Sequence, residues 1–154
     1  MRTATVLSMV AALSMVLVLG TASLGYAQQG APDGAWPAYG GDAGSTKYAP
    51  LDQINADNVD QLQVAWQWTT SDAPVLAEND LGAGAFKATP IMVHGVLYVR
   101  TSLSLVAAIV AATGEQLWEF DPRSWEAGRP TNLGFNTRGV AHWAGPEAEH
   151  IFVA

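Results

Sequence analysis

Four short apolar runs stand almost back to back between Thr89 and Phe120: Thr89 to Val93, Val96 to Arg100, Leu105 to Ala111 and Gln116 to Phe120. His94-Gly95 and Thr113-Gly114 separate them where tight turns are needed, because glycine supplies the positive φ of a hairpin turn at no steric cost. Runs of this length joined by turns of this kind predict one antiparallel sheet. Alone, that sheet has two open edges and one unburied apolar face, which costs stability and invites aggregation. Further sheets packed around a common axis remove the problem.

The flanking segments repeat the theme. Leu62 to Trp68 alternates so that Leu62, Val64, Trp66 and Trp68 share one face of a strand. Thr69 to Ala85 is polar and Gly-rich and reads as a long connection, of the kind that lies above an active-site face. Beyond a loop after Asp121-Pro122, Gly139 to Trp143 and His150 to Ala154 read as the first two strands of a second sheet. An apolar strand at the last residue has no visible partners. The chain is therefore expected to be an N-terminal fragment.

Composition bounds the function. Val6 to Leu19 is apolar and uncharged behind Arg2, and Gly25-Tyr26-Ala27 offers small residues at the −3 and −1 positions, so residues 1–27 are expected to be a secretory signal cleaved before Gln28. Residues 28–35, rich in Gly, Pro and Gln, are expected to form a mobile lead. Arg2 is the only charged residue before Asp33, so the chain from Gln28 onward carries 14 acids against six bases, a net charge of −8. The bases are scattered, and no nucleic-acid surface is expected. With 0 cysteines there is no disulfide, no thiolate nucleophile and no lipid-attachment cysteine.

Two stretches carry a specific signature. In Trp36 to Trp68, WPAYGGDAGSTKYAPLDQINADNVDQLQVAWQW, Gly40 and Gly41 permit positive φ and Asp42 can cap a turn. Pro50 ends the loop ahead of Leu51 and Ile54, which are expected to pack inward. Asn55, Asp57 and Asn58 supply side-chain hydrogen bonds for a compact connection. In AAIVAATGEQLW, Thr113-Gly114 makes the turn between the last two strands, and Trp118 is placed to dock against the turn of a neighbouring sheet.

Together these stretches resemble the PQQ-dependent quinoprotein dehydrogenases. The first matches their opening at Trp36, Tyr39, Gly40, Gly44, Tyr48, Pro50, Leu51, Ile54, Asn55, Asn58, Val59, Leu62, Ala65 and Trp66; the second matches their AxDxxTGxxxW repeat at Ala108, Thr113, Gly114 and Trp118. Val110 departs from the repeat, where Asp or Asn usually supplies a turn acceptor. The resemblance implies an all-β, eight-bladed β-propeller, of which residues 36–154 would supply a ring-closing strand (Leu62 to Trp68), one complete blade and part of a second. It further implies a periplasmic oxidoreductase acting on CH-OH groups of sugars or alcohols with pyrroloquinoline quinone (PQQ) and calcium. Electrons would pass to ubiquinone or a cytochrome, with peripheral association at the inner membrane surface. The catalytic base and calcium ligands would lie beyond Ala154, and the fragment alone would be inactive.

Three residues are cofactor-binding candidates by the same resemblance. Arg138-Gly139-Val140 matches a context in which an arginine reaches PQQ, and a guanidinium suits a ligand with three carboxylates and an ortho-quinone. Lys87, three residues before Pro90, stands where related enzymes often place a glutamate; a lysine there would pair with a carboxylate or remain solvated. Thr89, and Thr101 on the next strand, lie near strand ends that would face the axis, although sheet-edge threonines are the plainer reading. Asn132-Leu133 replaces the adjacent cysteines of methanol-dehydrogenase-like members, which moves the resemblance towards the glucose-dehydrogenase-like branch. His94, His142 and His150, spaced by 48 and 8 residues, are not expected to form a metal set, and Glu147 and Glu149 read as a solvated loop. Two other readings stay open: a non-catalytic periplasmic propeller scaffold of outer-membrane assembly type, which leaves the Trp36 to Trp68 opening unexplained, and a sugar-binding β-domain, which should close its own sheet.

Overall fold

The computed structural model describes residues 30–82 and 84–153. The expected signal segment lies outside the described residues. Among the described residues, eight strands and one short α-helix stand beside three 3-10 turns: α1 (Asp72–Glu78), β1 (Ala85–Thr89), β2 (Ile91–Val93), β3 (Val96–Arg100), β4 (Val106–Val110), β5 (Gln116–Phe120), β6 (Asn136–Gly139), β7 (Ala141–Ala144) and β8 (Glu149–Phe152).

Strands β2-β3-β4-β5 form the expected four-stranded antiparallel sheet in sequence order. The β2–β3 turn is a two-residue loop with both central φ angles positive, 50° at His94 and 77° at Gly95, the twist that matches right-handed strands. The β4–β5 corner closes through the backbone: the Thr113 and Gly114 amides donate to Val110 O at 3.2 and 2.9 Å. The acceptor lost with Val110 is thus replaced by its own carbonyl, and a register shift between Ala108 and Ile109 absorbs the irregularity.

Thr89 to Val93 does not form a single strand. Pro90 lacks a ladder donor, so β1 and β2 separate there and join different sheets. β1 pairs in parallel with β6, Ala85 opposite Asn136 and Phe86 opposite Thr137, while β7 and β8 form a separate antiparallel hairpin. The expected strand Gly139 to Trp143 is likewise split at Val140.

Leu62 to Trp68 makes no ladder among the described residues, because no neighbouring strand lies beside it. Its alternation nonetheless holds where it matters. Trp66 and Trp68 are half-buried and pack on the core of Val99, Ala107 and Ile109. The Trp66 indole donates to Ala111 O at 3.0 Å and that of Trp68 to Gln116 Oε1 at 2.7 Å. A Cβ on Gly114 (φ 75°) would lie 2.6 Å from the Trp66 ring, so this glycine serves both the turn and the indole seated on it. Trp118, expected to dock on another sheet's turn, instead meets Tyr98 with ring centroids 6.0 Å apart and stays 42% exposed.

The opening loop is held by polar groups. Asn58 Oδ1 accepts from the Asn55 amide, Asn55 Oδ1 from the Asp57 amide (both 2.9 Å), and Asn58 Nδ2 donates to Gln53 O at 2.7 Å. Leu51 and Ile54 do not pack inward; they are 53% and 60% exposed. Of the lead expected to be mobile, residues 30–35 are tied down. The Gly30 amide donates to Asp42 Oδ2, the amide of buried Ala31 donates to Tyr48 O, and Trp36 bridges the edge of β2 at Met92.

Candidate cofactor site

The parallel β1–β6 pair brings the sequence-predicted cations onto neighbouring strands. Ala85 faces Asn136 and Arg138 lies two residues further along that face of β6, while Lys87 falls within the register shift of β1 between Phe86 and Thr89. Both side chains are exposed, and neither takes part in an ion pair among the described residues. Thr89 follows a register shift and pairs with Gly139, directly after Arg138. Lys87, Thr89 and Arg138 therefore occupy one short stretch of a two-stranded ladder, although 51 residues of sequence separate Lys87 from Arg138.

Thr101 does not join them. It is fully buried, its amide donates to Leu105 O at 2.8 Å, and its hydroxyl accepts from the Leu105 amide at 3.1 Å, which makes it the clasp of the β3–β4 loop. Two other groups flank Arg138 that the sequence did not single out. Asn136 Oδ1 and Thr137 Oγ1 are shielded from solvent and have no hydrogen-bond partner among the described residues. Shielded polar atoms are nearly always satisfied by protein, water or ligand. Asn-Thr ahead of an arginine carried no motif by which to find them.

What positions this ladder is a second, smaller core. Phe135, immediately before β6, is buried with Leu103 and Leu105, and Val75, Leu76, Leu81 and Trp125 pack around them. Val75 and Leu76 belong to α1, inside the segment expected to be an irregular connection. Asp72 starts the helix, Pro74 sits in the first turn where its missing amide is harmless, and Thr70 Oγ1 accepts from the Asp72 amide at 2.9 Å. Asp72 is 5% exposed, and its Oδ2 accepts from the Ser102 hydroxyl at 2.6 Å and the Leu103 amide at 3.2 Å. Helix α1 is thereby fastened over the β3–β4 loop. From there Phe135 O receives the Ala85 amide at 3.1 Å, which joins the small core to the start of the ladder.

The histidines are not as dispersed as their spacing suggested. His94 Nδ1 lies 3.3 Å from Glu149 Oε1, and His142 Nε2 lies 3.4 Å from Glu149 Oε2. Glu149, expected in a solvated loop, opens β8 and stands between two imidazoles. Even so, no group of three or more His, Asp or Glu side chains suited to a metal ion occurs among the described residues.

Residues 36–154 match the family described as PQQ: glucose/ethanol/alcohol dehydrogenase, β-propeller domain. The chain is 35% identical over 122 residues to the dehydrogenase subunit of a quinone-type alcohol dehydrogenase of Gluconobacter oxydans, covering 75% of this chain and 14% of the relative. It is 42% identical over 90 residues to the quinoprotein glucose dehydrogenase of Escherichia coli, covering 58% and 11%. The crystal structure of the quinohemoprotein alcohol dehydrogenase from Comamonas testosteroni superposes with a TM-score of 0.58 at 35% identity, over 71% of this chain and 15% of that one. The chain thus spans about one-seventh of the length of these relatives, and its sheet, its docked tryptophan and its β1–β6 ladder are part of a propeller. It belongs to the PQQ-dependent glucose, ethanol and alcohol dehydrogenase family.

Proposed function

We propose that this chain contributes the opening blades of a PQQ-dependent dehydrogenase that oxidises CH-OH groups of sugars or alcohols and passes electrons to a quinone or a cytochrome. The observation that carries the proposal is the placement of Lys87 and Arg138, two exposed cations in no ion pair among the described residues, on the two paired strands of the β1–β6 ladder inside a family-matched region. Their chemistry fits the group. Arg138 offers a planar fork of donors to a carboxylate or quinone oxygen, Lys87 a compact second charge, and Thr89 a hydroxyl at the ladder's end. When bound, PQQ would supply the two-electron redox chemistry; the protein's part is to hold and orient it. Calcium, which the same reading includes, would be held by residues outside this chain, as would the catalytic base. Export to the periplasm and contact with the inner membrane surface complete the proposal; they rest on the apolar run and small residues ahead of Gln28.

Binding of PQQ to the chain within its full-length parent, followed by quenching of tryptophan fluorescence, tests the reading. Arg138→Gln and Lys87→Gln should each weaken binding about five- to a hundredfold, the range for a charge-assisted contact. Dye reduction with glucose or ethanol should follow reconstitution with PQQ and calcium. If the parent binds no PQQ, or reduces no dye with any sugar or alcohol, the proposal is wrong.

A further inference from the structure

Half of the cations after Gln28 have a partner inside the chain. Arg123 pairs with Glu126, Lys47 stands over the Tyr39 ring with Nζ 5.6 Å from its centroid, and half-buried Arg100 donates from Nη2 to Ser104 Oγ at 3.0 Å. The other three, Lys87, Arg129 and Arg138, are exposed and enter no ion pair among the described residues. With 14 acids against six bases beyond Gln28, a shortage of carboxylates does not explain this. Lys87 and Arg138 lie on the β1–β6 ladder, and Arg129 lies against the two segments that lead into it.

We infer that Arg129 is a third binding residue of the cofactor site, holding one carboxylate of the PQQ that Lys87 and Arg138 also engage. The inference rests on the dehydrogenase reading, which by itself gives Arg129 no part.

The seat of the guanidinium carries the argument. A Cβ on Gly82 would lie 2.9 Å from Arg129 Nη1, and one on Gly134 would lie 2.9 Å from its Nε and 3.2 Å from its Nη2. Gly82 is three residues ahead of β1 and Gly134 two ahead of β6, so the guanidinium touches both chains just before they pair. Gly82 is not among the glycines with positive φ, so its backbone does not call for glycine; what glycine provides there is room. At Gly134 the φ of 64° and the room are both used. A long side chain seated in this way has less rotamer freedom to lose when a ligand arrives, and its planar fork suits a carboxylate.

The spacing fits a rigid ligand with several carboxylates. Lys87 and Arg138 each stand two residues past the first ladder pair, Ala85 with Asn136, whereas Arg129 touches the chains two to three residues before it. At about 3.3 Å per residue, at most roughly 13–17 Å of backbone separates those points. Charges set out along a ladder match anionic groups set out around a flat ring system better than a single anion.

Titration of the full-length parent with PQQ, followed by tryptophan fluorescence, tests the inference. Arg129→Gln should weaken binding about five- to a hundredfold, and Arg129→Lys, which keeps the charge without the fork, should recover part of the loss. Gly82→Ala should weaken binding about two- to tenfold with no loss of stability to urea, because the atom it displaces is the free end of an exposed side chain. Arg123→Gln makes the same change in net charge at a paired residue and should bind as the parent does. Parent-like affinity in Arg129→Gln, with Arg138→Gln weakened, would overturn the inference and leave the dehydrogenase reading standing. An equal loss in Arg123→Gln would reduce the effect to net charge and overturn it as well. If the parent binds no PQQ, the reading and the inference fall together.

Discussion

Single positions in this chain are asked to satisfy two demands at once, and Gly114 shows it most plainly. Its φ of 75° suits a turn, and the Trp66 ring leaves no room for a methyl group. Gly114→Ala should therefore cost about 1–3 kcal/mol in urea unfolding, where a turn strained only in φ would sit at the low end. A loss below that range would mean the indole is not seated there. Asp42 makes a pH prediction. The hydrogen bond from the Thr46 amide, opposed in part by burial, lowers its carboxyl below the ordinary range. Because the folded value is the lower one, its stabilisation is complete above the unfolded pKa of about 3.9 and fades as pH falls through the folded value. Asp42→Asn should thus flatten the loss of stability between about pH 5 and about pH 2; parallel curves for variant and parent would count against it. At this scale the sequence was informative wherever backbone geometry demanded a particular residue, as at Gly95, Gly114 and the Asn55–Asn58 loop. It was silent on Asn136 and placed Glu149 in a solvated loop, because the surroundings of both depend on neighbours far away in the chain.

Elements were legible in proportion to how local their partners are. The three hairpin-linked pairings of the first sheet join adjacent strands, so alternation and turn residues sufficed. The β1–β6 pairing joins strands about fifty residues apart and left no periodic trace. For that reason Lys87 and Arg138 could each be singled out, but their adjacency could not. Helix α1 escaped because seven residues carry only two useful apolar positions and Pro74 masks the rest. Its attachment gives a prediction of its own: Asp72→Ala leaves the Ser102 hydroxyl and Leu103 amide buried without an acceptor, at about 1–3 kcal/mol. Exchange should quicken first at α1 and the β3–β4 loop, with β4 and β5 amides least affected. Uniform loss of protection across all strands would show that α1 is not a separate fastening.

At the scale of the whole molecule, many large apolar side chains stand exposed among the described residues. Leu117, Trp118 and Phe120 on β5, with Trp143 on β7 and Phe152 on β8, are each more than 40% exposed. Trp118 and Phe120 line one cleft, and exposed apolar groups gathered in this way mark surfaces that other structure covers. The chain produced by itself should bind a hydrophobic dye and self-associate in sedimentation as its concentration rises; a monodisperse monomer without dye binding would contradict this. Family and fold were readable because the Trp36 to Trp68 opening and the TGxxxW repeat are set by recurrent backbone geometry.

The tryptophans docked on the first sheet also set a clock. Trp66 and Trp68 meet partners 45 and 48 residues further on, at Ala111 and Gln116. At translation rates of about 5–20 residues per second, both indoles wait some 2–10 s for the strands that receive them, whereas the hairpins form within microseconds of being complete. During synthesis this segment therefore waits for a sheet made after it, and those seconds are when a chaperone or a wrong partner has access to it.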